Sequence, residues 1–181
     1  GGALGDAIRR LKYREASWIA RPLGDLLAAR CLEEGCAPDL VVPVPMSRAR
    51  LLERGYNQAS LLTARFARLG FNVEPSALER TRDAASQATL RREARLTNLR
   101  GAFRGGPALR GAVVLLVDDV TTTGGTLAAC RDAIVEAGGI VGTAAVLAIV
   151  EQDDDYVDGG RADSSASISS ANPPPRGSAV T

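Results

Sequence analysis

The segment from residue 113 to residue 126 constrains the fold of this chain more than any other. Five aliphatic residues end in two adjacent carboxylates, Asp118 and Asp119, and a turn of threonines and glycines follows before an amphipathic run begins at Leu127. A short apolar run followed by helical periodicity is typical of a buried strand that leads into a helix. The segment therefore predicts a strand, a polar turn and a helix, arranged as in a parallel α/β sheet.

The turn has the composition of an anion-binding site. Threonine hydroxyls and closely spaced backbone N–H groups at a helix N-terminus can cradle a phosphate, and the positive end of the helix dipole assists them. Glycine lets the backbone approach an anion because no Cβ stands in the way. We therefore expect the residues of the turn to bind a phosphate: Thr121, Thr122, Thr123, Gly124, Gly125 and Thr126.

The two carboxylates cannot face that same phosphate, because like charges repel. We expect Asp118 and Asp119 to lie one step away, where they accept hydrogen bonds from ribose hydroxyls or hold a metal ion. This arrangement indicates a sugar phosphate ligand. An ordinary turn with an aspartate cap is the structural alternative, but two adjacent acids and a Thr/Gly-rich turn exceed what such a turn needs. The segment is neither a Walker A loop, since no Gly-Lys-Ser/Thr follows, nor a G-x-G-x-x-G fingerprint.

Composition excludes several kinds of chemistry. The 181 residues include no histidine, which excludes Ser-His-Asp catalysis, Cys-His catalysis and histidine-ligated metals. The cysteines, Cys31, Cys36 and Cys130, form no Cys-x-x-Cys pair, which favours reduced thiols in a cytoplasmic protein and no zinc site. No apolar run reaches the roughly 18 residues that a membrane span needs, so we expect no membrane insertion. The first residues lack Met and a signal pattern, so we expect a fragment or a processed chain.

Charge is distributed unevenly. Residues 1–150 carry 20 basic and 15 acidic side chains, whereas residues 151–181 carry 2 basic and 6 acidic ones. Between Arg80 and Arg110, eight arginines accompany only Asp83 and Glu93. Guanidinium groups suit phosphate recognition, so contacts with single-stranded DNA are one interpretation of this run. We prefer a solvated or loop-closing face, because charge runs alone are poor indicators of partners and stacking aromatic residues are nearly absent there.

The chain divides into two parts. Apolar periodicity predicts one α/β domain over residues 1–150, with a central parallel sheet and helices on both of its faces. The acidic and Ser/Pro-rich residues 151–181 cannot bury enough apolar area to order themselves and are predicted to be disordered. Four helices are predicted: one over 3–15, a second that Ser17 caps and that ends near 35, a third over 56–70 and a fourth over 127–137. The predicted strands cover 39–45, 112–117 and 140–150, and weaker strand signals lie near 73 and 78. A mobile loop is predicted over 81–92.

A second polar constellation follows the predicted strand at 39–45. Its residues are Pro45, Met46, Ser47, Arg48 and Arg54. The carboxyl ends of parallel strands share one edge of a sheet, so we expect these residues to lie near Asp118 and Asp119 and to face a pyrophosphate. A solvated basic loop is the alternative and the commoner outcome for such a stretch alone. Because the segment at 118–126 is expected at the same edge of the sheet, we prefer the interpretation as a pyrophosphate site.

Together these motifs resemble the ComF/GntX family, a competence protein F-like branch of the type I phosphoribosyltransferases, which use phosphoribosyl pyrophosphate (PRPP). The resemblance covers residues 3–150 in order. Family members usually carry an N-terminal cysteine-rich zinc ribbon, and nothing in this sequence corresponds to it. The matching stretches are 11–13, 21–24, 42–45, 54–58, parts of 80–103, and 117–126.

The resemblance implies a role for each constellation. It implies a type I phosphoribosyltransferase-like fold in which Asp118 and Asp119, the catalytic pair, bind the ribose hydroxyls and the turn at 121–126 binds the 5-phosphate. The turn at 45–48 would face the pyrophosphate. The cofactor would be Mg²⁺, held mainly by PRPP oxygens and water. A flexible loop would close over the site, with residues Arg82, Gln87, Arg91 and Arg95.

The function that the resemblance implies is that of a Mg²⁺-dependent, cytoplasmic phosphoribosyltransferase-like protein linked to DNA uptake in natural competence. Two alternatives remain open. One is a non-catalytic protein that senses PRPP or handles single-stranded DNA, and the other is a nucleobase salvage phosphoribosyltransferase. The candidate partners are PRPP, single-stranded DNA, the competence machinery and a second copy of the chain.

Overall fold

The chain forms a four-stranded sheet with helices on both faces and a separate two-stranded ribbon. A computed structural model describes residues 3–12, 14–81, 99, 101–149 and 167–170. The helices are α1 (Ala3–Arg10), α2 (Ala20–Glu33), α3 (Arg48–Arg54), α4 (Gln58–Arg68) and α5 (Gly125–Glu136), with 3₁₀ helices at Arg14–Ile19 and Pro107–Leu109. The strands are β1 (Leu40–Pro43), β2 (Leu78–Arg80), β3 (Phe103–Gly105), β4 (Val113–Thr121), β5 (Ile140–Ile149) and β6 (Ser167–Ser170).

The sheet has the order β1-β4-β5-β6. Strands β1, β4 and β5 are parallel, and Val117 of β4 pairs with Pro43 on one side and Ala145 on the other. Strand β6 is antiparallel to β5, and Val73 adds an isolated parallel bridge to Val41 on the outer side of β1. The predicted central parallel sheet is therefore confirmed, with an antiparallel strand added at one edge.

Alternate residues of β4 build two separate cores. Leu115 and Val117 belong to a cluster with α1, α2 and α4, whereas Val114 and Leu116 belong to a cluster with α5 and the β2–β3 ribbon. All four side chains are at most 1% exposed, so both faces of β4 are covered. Continuous burial of this kind explains why the strand reads as an unbroken aliphatic run, as is usual in parallel sheets. The prediction of helices on both faces is confirmed.

Three local features differ from the sequence predictions. Ser17 does not cap α2: the backbone is already helical at Ile19, because a 3₁₀ helix runs directly into α2. Strand β4 continues to Thr121, so the acid pair lies within the strand, since pairing with β5 extends as far as Ile149. Disorder was predicted throughout 151–181, but residues 167–170 form β6, because the edge of β5 offers unpaired backbone groups.

The remainder of the predicted tail, and the predicted mobile loop beyond Thr81, lie outside the described residues. In the part of the chain that the structure describes, no helix has the length and apolar character needed to cross a membrane.

The contact between α2 and α4 depends on Gly24. A Cβ at this position would lie 2.7 Å from the Leu62 carbonyl oxygen and 2.7 Å from Cγ of Arg65, so Gly24→Ala forces the two helices apart. We expect a loss of about 1–3 kcal/mol in the free energy of unfolding, measured by chemical denaturation. Gly5→Ala in α1 is the matched control, because a Cβ there meets nothing within 4 Å. It should be neutral or stabilising by up to about 1 kcal/mol, and equal effects of the two changes would contradict this account.

Candidate functional site

The acid pair lies at the carboxyl edge of the parallel sheet. Asp118 and Asp119 are both half-buried near the end of β4. The N–H of Asp119 donates to Oδ1 of Asp118 at 2.9 Å, and the N–H of Val120 donates to Oδ1 of Asp119 at 2.8 Å. Each carboxylate is thus oriented by the backbone through one oxygen. The two carboxyl groups also lie within hydrogen-bonding range of each other, and because both are only half-buried they can accept hydrogen bonds from a ligand.

The environment holds a proton on this pair. Burial, and then the negative charge of Asp119, raise the pKa of Asp118 from 3.8 to about 8. Burial, and then the charge of Asp118, also raise the pKa of Cys130, while the nearby Arg80 opposes that rise. At neutral pH Asp118 therefore keeps its proton and can donate a hydrogen bond. Such a pair can both accept and donate hydrogen bonds, as adjacent hydroxyl groups of a sugar require.

The turn after the acid pair leads into a helix without a side-chain cap. Gly124 precedes α5 with φ 73° and ψ 0°, and as a glycine it offers no side-chain cap to the helix. The first helical bond runs from the N–H of Ala128 to the Gly124 carbonyl at 2.9 Å. The N–H groups of the first turn have no partner within the helix and carry the positive end of its dipole. They are therefore suited to an anion.

All six predicted phosphate-binding residues lie along this turn, between the acid pair and α5. Gly124 is required there, because a side chain at a positive φ would be strained even though the space beside it is open. Thr121 ends β4, Thr122 is exposed, Thr123 and Gly124 form the turn, and Gly125 and Thr126 open α5.

The second predicted loop lies at the same edge of the sheet. The N–H of Val44 donates to the Val117 carbonyl at 2.9 Å, which brings the end of β1 alongside β4 immediately before the acids. Pro45 and Met46 follow and are half-buried, and Ser47 caps α3 through a 3.3 Å bond from the N–H of Arg50. The structure therefore brings the turn at 45–47 to the acid pair.

The two predicted arginines of this loop lie at opposite ends of α3, which buries no side chain of its own. Arg48 begins the helix and is exposed, whereas Arg54 ends it and is half-buried. Six residues of helical rise separate them by about 9 Å along the axis. The sequence prediction treated the two arginines as one group, and the intervening helix was not predicted.

The predicted flexible-loop residues Arg82, Gln87, Arg91 and Arg95 lie outside the described residues. The ends of their segment are fixed by the β2–β3 ribbon, where the N–H of Thr81 donates to the Ala102 carbonyl at 2.9 Å. The guanidinium of Arg80 lies 5.4 Å from the centre of the Phe103 ring and stabilises the same ribbon.

Gln58 was not among the predicted site residues. It is 2% exposed, yet its side-chain Nε2 has no hydrogen-bond partner among the described residues. It shares one face of α4 with Leu62 and Phe66, which are fully buried. Asn57 directs the start of this helix to the carboxyl edge, since its Nδ2 donates to the Val44 carbonyl at 2.9 Å. An unsatisfied buried amide thus lies at the same edge of the sheet as the acid pair, and its position at a helix start within the motif at 54–58 was the available signal.

A groove of about 560 Å³ lies elsewhere, between β3 and the C-terminal half of α5. Ala133 and Glu136 line it, at least about 12 Å along the helix axis from Gly125. The groove is therefore separate from the turn and the acid pair.

Comparison with known proteins gives relatives over part of the chain. No family model matches the chain. Over 121 residues it is 35% identical to the DNA utilization protein YhgH of Escherichia coli K12, covering 64% of this chain and 53% of that protein. Over 102 residues it is 35% identical to competence protein F of Haemophilus influenzae Rd, covering 53% of this chain and 44% of that protein. Over these stretches the chain is a homologue of both proteins.

The resemblance predicted from the sequence is thereby confirmed. The chain spans about half the length of the curated relatives that it matches.

Two solved structures show a partial likeness. Glutamine PRPP amidotransferase from B. subtilis, complexed with ADP and GMP, is 20% identical and covers 72% of this chain and 26% of its own, with a TM-score of 0.45. The allosteric regulatory enzyme of purine biosynthesis is 18% identical and covers 74% and 25%, with a TM-score of 0.44. A likeness of this degree carries no argument about the site. The α/β fold class of this homologue follows from its strand order and two covered faces.

The raised pKa of Asp118 predicts how stability depends on pH. Between about pH 4 and pH 8 the folded protein keeps a proton that the unfolded chain has released, so this group lowers the free energy of unfolding as pH rises. Asp118→Asn keeps the acceptor for the Asp119 N–H and removes the titration. We expect the variant to be more stable than the parent by at least about 1 kcal/mol at pH 8, and nearly equal at pH 4, by urea denaturation. Parallel pH profiles would refute this.

The unsatisfied amide of Gln58 predicts a stabilising substitution. Gln58→Leu keeps a similar volume and removes a buried donor without a partner, so the free energy of unfolding should rise by about 1 kcal/mol in thermal or chemical denaturation. Thr63→Val is the matched control in the same helix, because the Thr63 hydroxyl is buried but donates to the Ser60 carbonyl at 3.0 Å. It should bring no gain. A loss of stability in Gln58→Leu would show that the amide is satisfied in solution.

Proposed function

We propose that this chain binds PRPP with Mg²⁺ at the acid pair and the turn that follows it. One observation carries the proposal: a half-buried pair of carboxyl groups lies near the end of a parallel strand, which leads through a left-handed glycine into the N-terminus of a helix. A ligand that matches this arrangement has vicinal hydroxyl groups beside a phosphate, and a ribose 5-phosphate has both. The homology to competence protein F supports the same ligand class, as the sequence resemblance implies.

In the proposed complex, the carboxyl oxygens of Asp118 and Asp119 bind the ribose hydroxyls. The threonine hydroxyls and first-turn N–H groups at 121–126 bind the 5-phosphate. The turn at 45–47 lies beside β4 through the bond between Val44 and Val117, so it is placed to face a pyrophosphate on the ribose. Gln58 then gains an acceptor from the ligand or from a reoriented carboxylate, which would explain why a buried amide without a partner is kept.

The residues at this edge fit the proposed cofactor. Mg²⁺ prefers oxygen ligands and retains several waters, and two adjacent, half-buried carboxyl groups offer contacts of that kind. When bound with PRPP, Mg²⁺ would neutralise charge on the pyrophosphate group. In a transfer reaction, positive charge develops on the sugar as pyrophosphate leaves. A carboxylate beside the sugar would stabilise that charge.

The cellular role that we propose is in DNA uptake or use, within the cytoplasm. It rests on the names of the relatives, a DNA utilization protein and a competence protein. The arginine-rich run between Arg80 and Arg110 favours a second candidate, a non-catalytic protein that binds PRPP and handles single-stranded DNA. Release of pyrophosphate in the presence of a nucleobase would identify a transferase. Salt-dependent DNA affinity that is lost when Arg91, Arg92 and Arg95 become alanine would identify the second candidate.

Calorimetric titration with PRPP, with and without Mg²⁺, tests the proposal directly. We expect Mg²⁺-dependent binding that weakens at least about 100-fold in the double variant Asp118→Asn/Asp119→Asn, because both carboxyl groups that would bind the ribose hydroxyls are replaced. The matched control is Asp132→Asn/Glu136→Gln, which removes two negative charges from exposed positions of α5 and should leave the affinity unchanged. Thermal unfolding would confirm that both variants fold. Absence of binding by the folded parent, or an unchanged affinity in the acid-pair variant, would overturn the site.

A further inference from the structure

The C-terminal end of α2 brings two cysteines together. Gly35 has φ +67°, and its N–H donates to the Leu32 carbonyl at 3.0 Å. The next N–H, that of Cys36, donates back to the Cys31 carbonyl at 2.9 Å. These two bonds around a left-handed glycine define a Schellman motif, in which the residue after the glycine packs against the residue five positions earlier. Here both of those residues are cysteines.

The same motif ends α4 and shows what it does to the two side chains. Gly70 donates to the Ala67 carbonyl at 3.2 Å, and Phe71 donates to the Phe66 carbonyl at 3.1 Å. The rings of Phe66 and Phe71 are in edge-to-face contact, with centroids 5.5 Å apart. The turn therefore brings these two positions into contact within this protein. The equivalent positions at the end of α2 hold the two thiols.

The geometry is compatible with a covalent bond between the cysteines. With standard bond lengths, the 2.9 Å bond between Cys36 and Cys31 keeps their Cα atoms within about 7 Å. Disulfides span Cα separations of about 4.4–6.8 Å. Burial, and then the adjacent Cys36 with which the thiol hydrogen-bonds, raise the pKa of Cys31 to about 12. Cys31 is fully buried and Cys36 is half-buried, so only Cys36 meets solvent directly.

We propose that Cys31 and Cys36 form a dithiol site that a small-molecule disulfide, such as oxidised glutathione, converts to an intramolecular disulfide. The thiolate of Cys36 attacks one sulfur of the oxidant, giving a mixed disulfide and one released thiol. The sulfur of Cys31 then gives up its proton to solvent and attacks Sγ of Cys36, which expels the second thiol. Two S–H bonds are lost, one protein S–S bond forms, and the S–S bond of the oxidant is reduced to two thiols.

The full chain can be tested with oxidised glutathione, followed by alkylation in denaturant and tryptic mass mapping. Cleavage after Arg30 and Arg48 places both cysteines in one peptide, residues 31–48, and Cys130 in another, residues 111–131. We expect the first peptide to lose two hydrogen atoms and resist alkylation. The second should be alkylated, because Cys130 is buried in the cluster on the other face of the sheet. A glutathione adduct that persists on Cys36, or alkylation of both thiols in the first peptide, would overturn the proposal.

Substitutions separate the two chemical steps. Cys31→Ser should trap the mixed disulfide on Cys36, and Cys31→Ala repeats the test if serine in this buried position prevents folding. Cys36→Ser should abolish modification altogether, because Cys31 is buried. Gly35→Val strains the turn at φ +67° and should slow disulfide formation at least tenfold, whereas Gly70→Val strains the matching turn of α4 and should not. Equal rates in the two valine variants would show that the turn does not set the proximity of the thiols.

Discussion

The parallel pairing of β1 with β4 is the interaction on which the rest of the structure depends. It continues past the strand in the bond from the Val44 N–H to the Val117 carbonyl, one residue before Asp118. That bond holds the turn after β1 and the acid pair of β4 at one edge. Because both faces of β4 are buried, the strand cannot slip without exposing one of the two cores. The position of the acids is therefore fixed by hydrophobic packing rather than by contacts among the acids themselves.

Much of this arrangement could be predicted because its determinants are local. The aliphatic run at 113–117 and the glycines after it act within a few residues, and the helix predicted to begin at residue 56 begins at Gln58. The weak strand signal predicted near residue 78 corresponds to β2. Its pairing with β3 could not be predicted, because Leu78 pairs with Gly105 across a long intervening segment and each strand has only three residues. The helix α3 was missed because it buries nothing, so hydrophobic periodicity gives no signal for it.

The acid pair combines two requirements that oppose each other. Burial beside a second carboxylate raises the pKa of Asp118 and costs stability, yet the same surroundings keep the pair oriented before any ligand arrives. The unsatisfied amide of Gln58 is a second such cost at the same edge. Sequence inspection finds the acids from their adjacency alone. The raised pKa of Asp118 and the missing partner of the Gln58 amide cannot be predicted in this way, because both depend on the residues that pack around them in three dimensions.

The segments at the two edges of the parallel sheet limit its pairing with strands of other chains. Strand β6 occupies the free side of β5, and the stretch around Val73 lies against the free side of β1. The long apolar strands are thus kept inside the sheet, and its outermost position beside β5 is held by a four-residue segment rich in serine. A short, polar border of this kind is a poor template for another chain. The chain therefore forms an apolar parallel sheet and also covers the edge of that sheet beside β5.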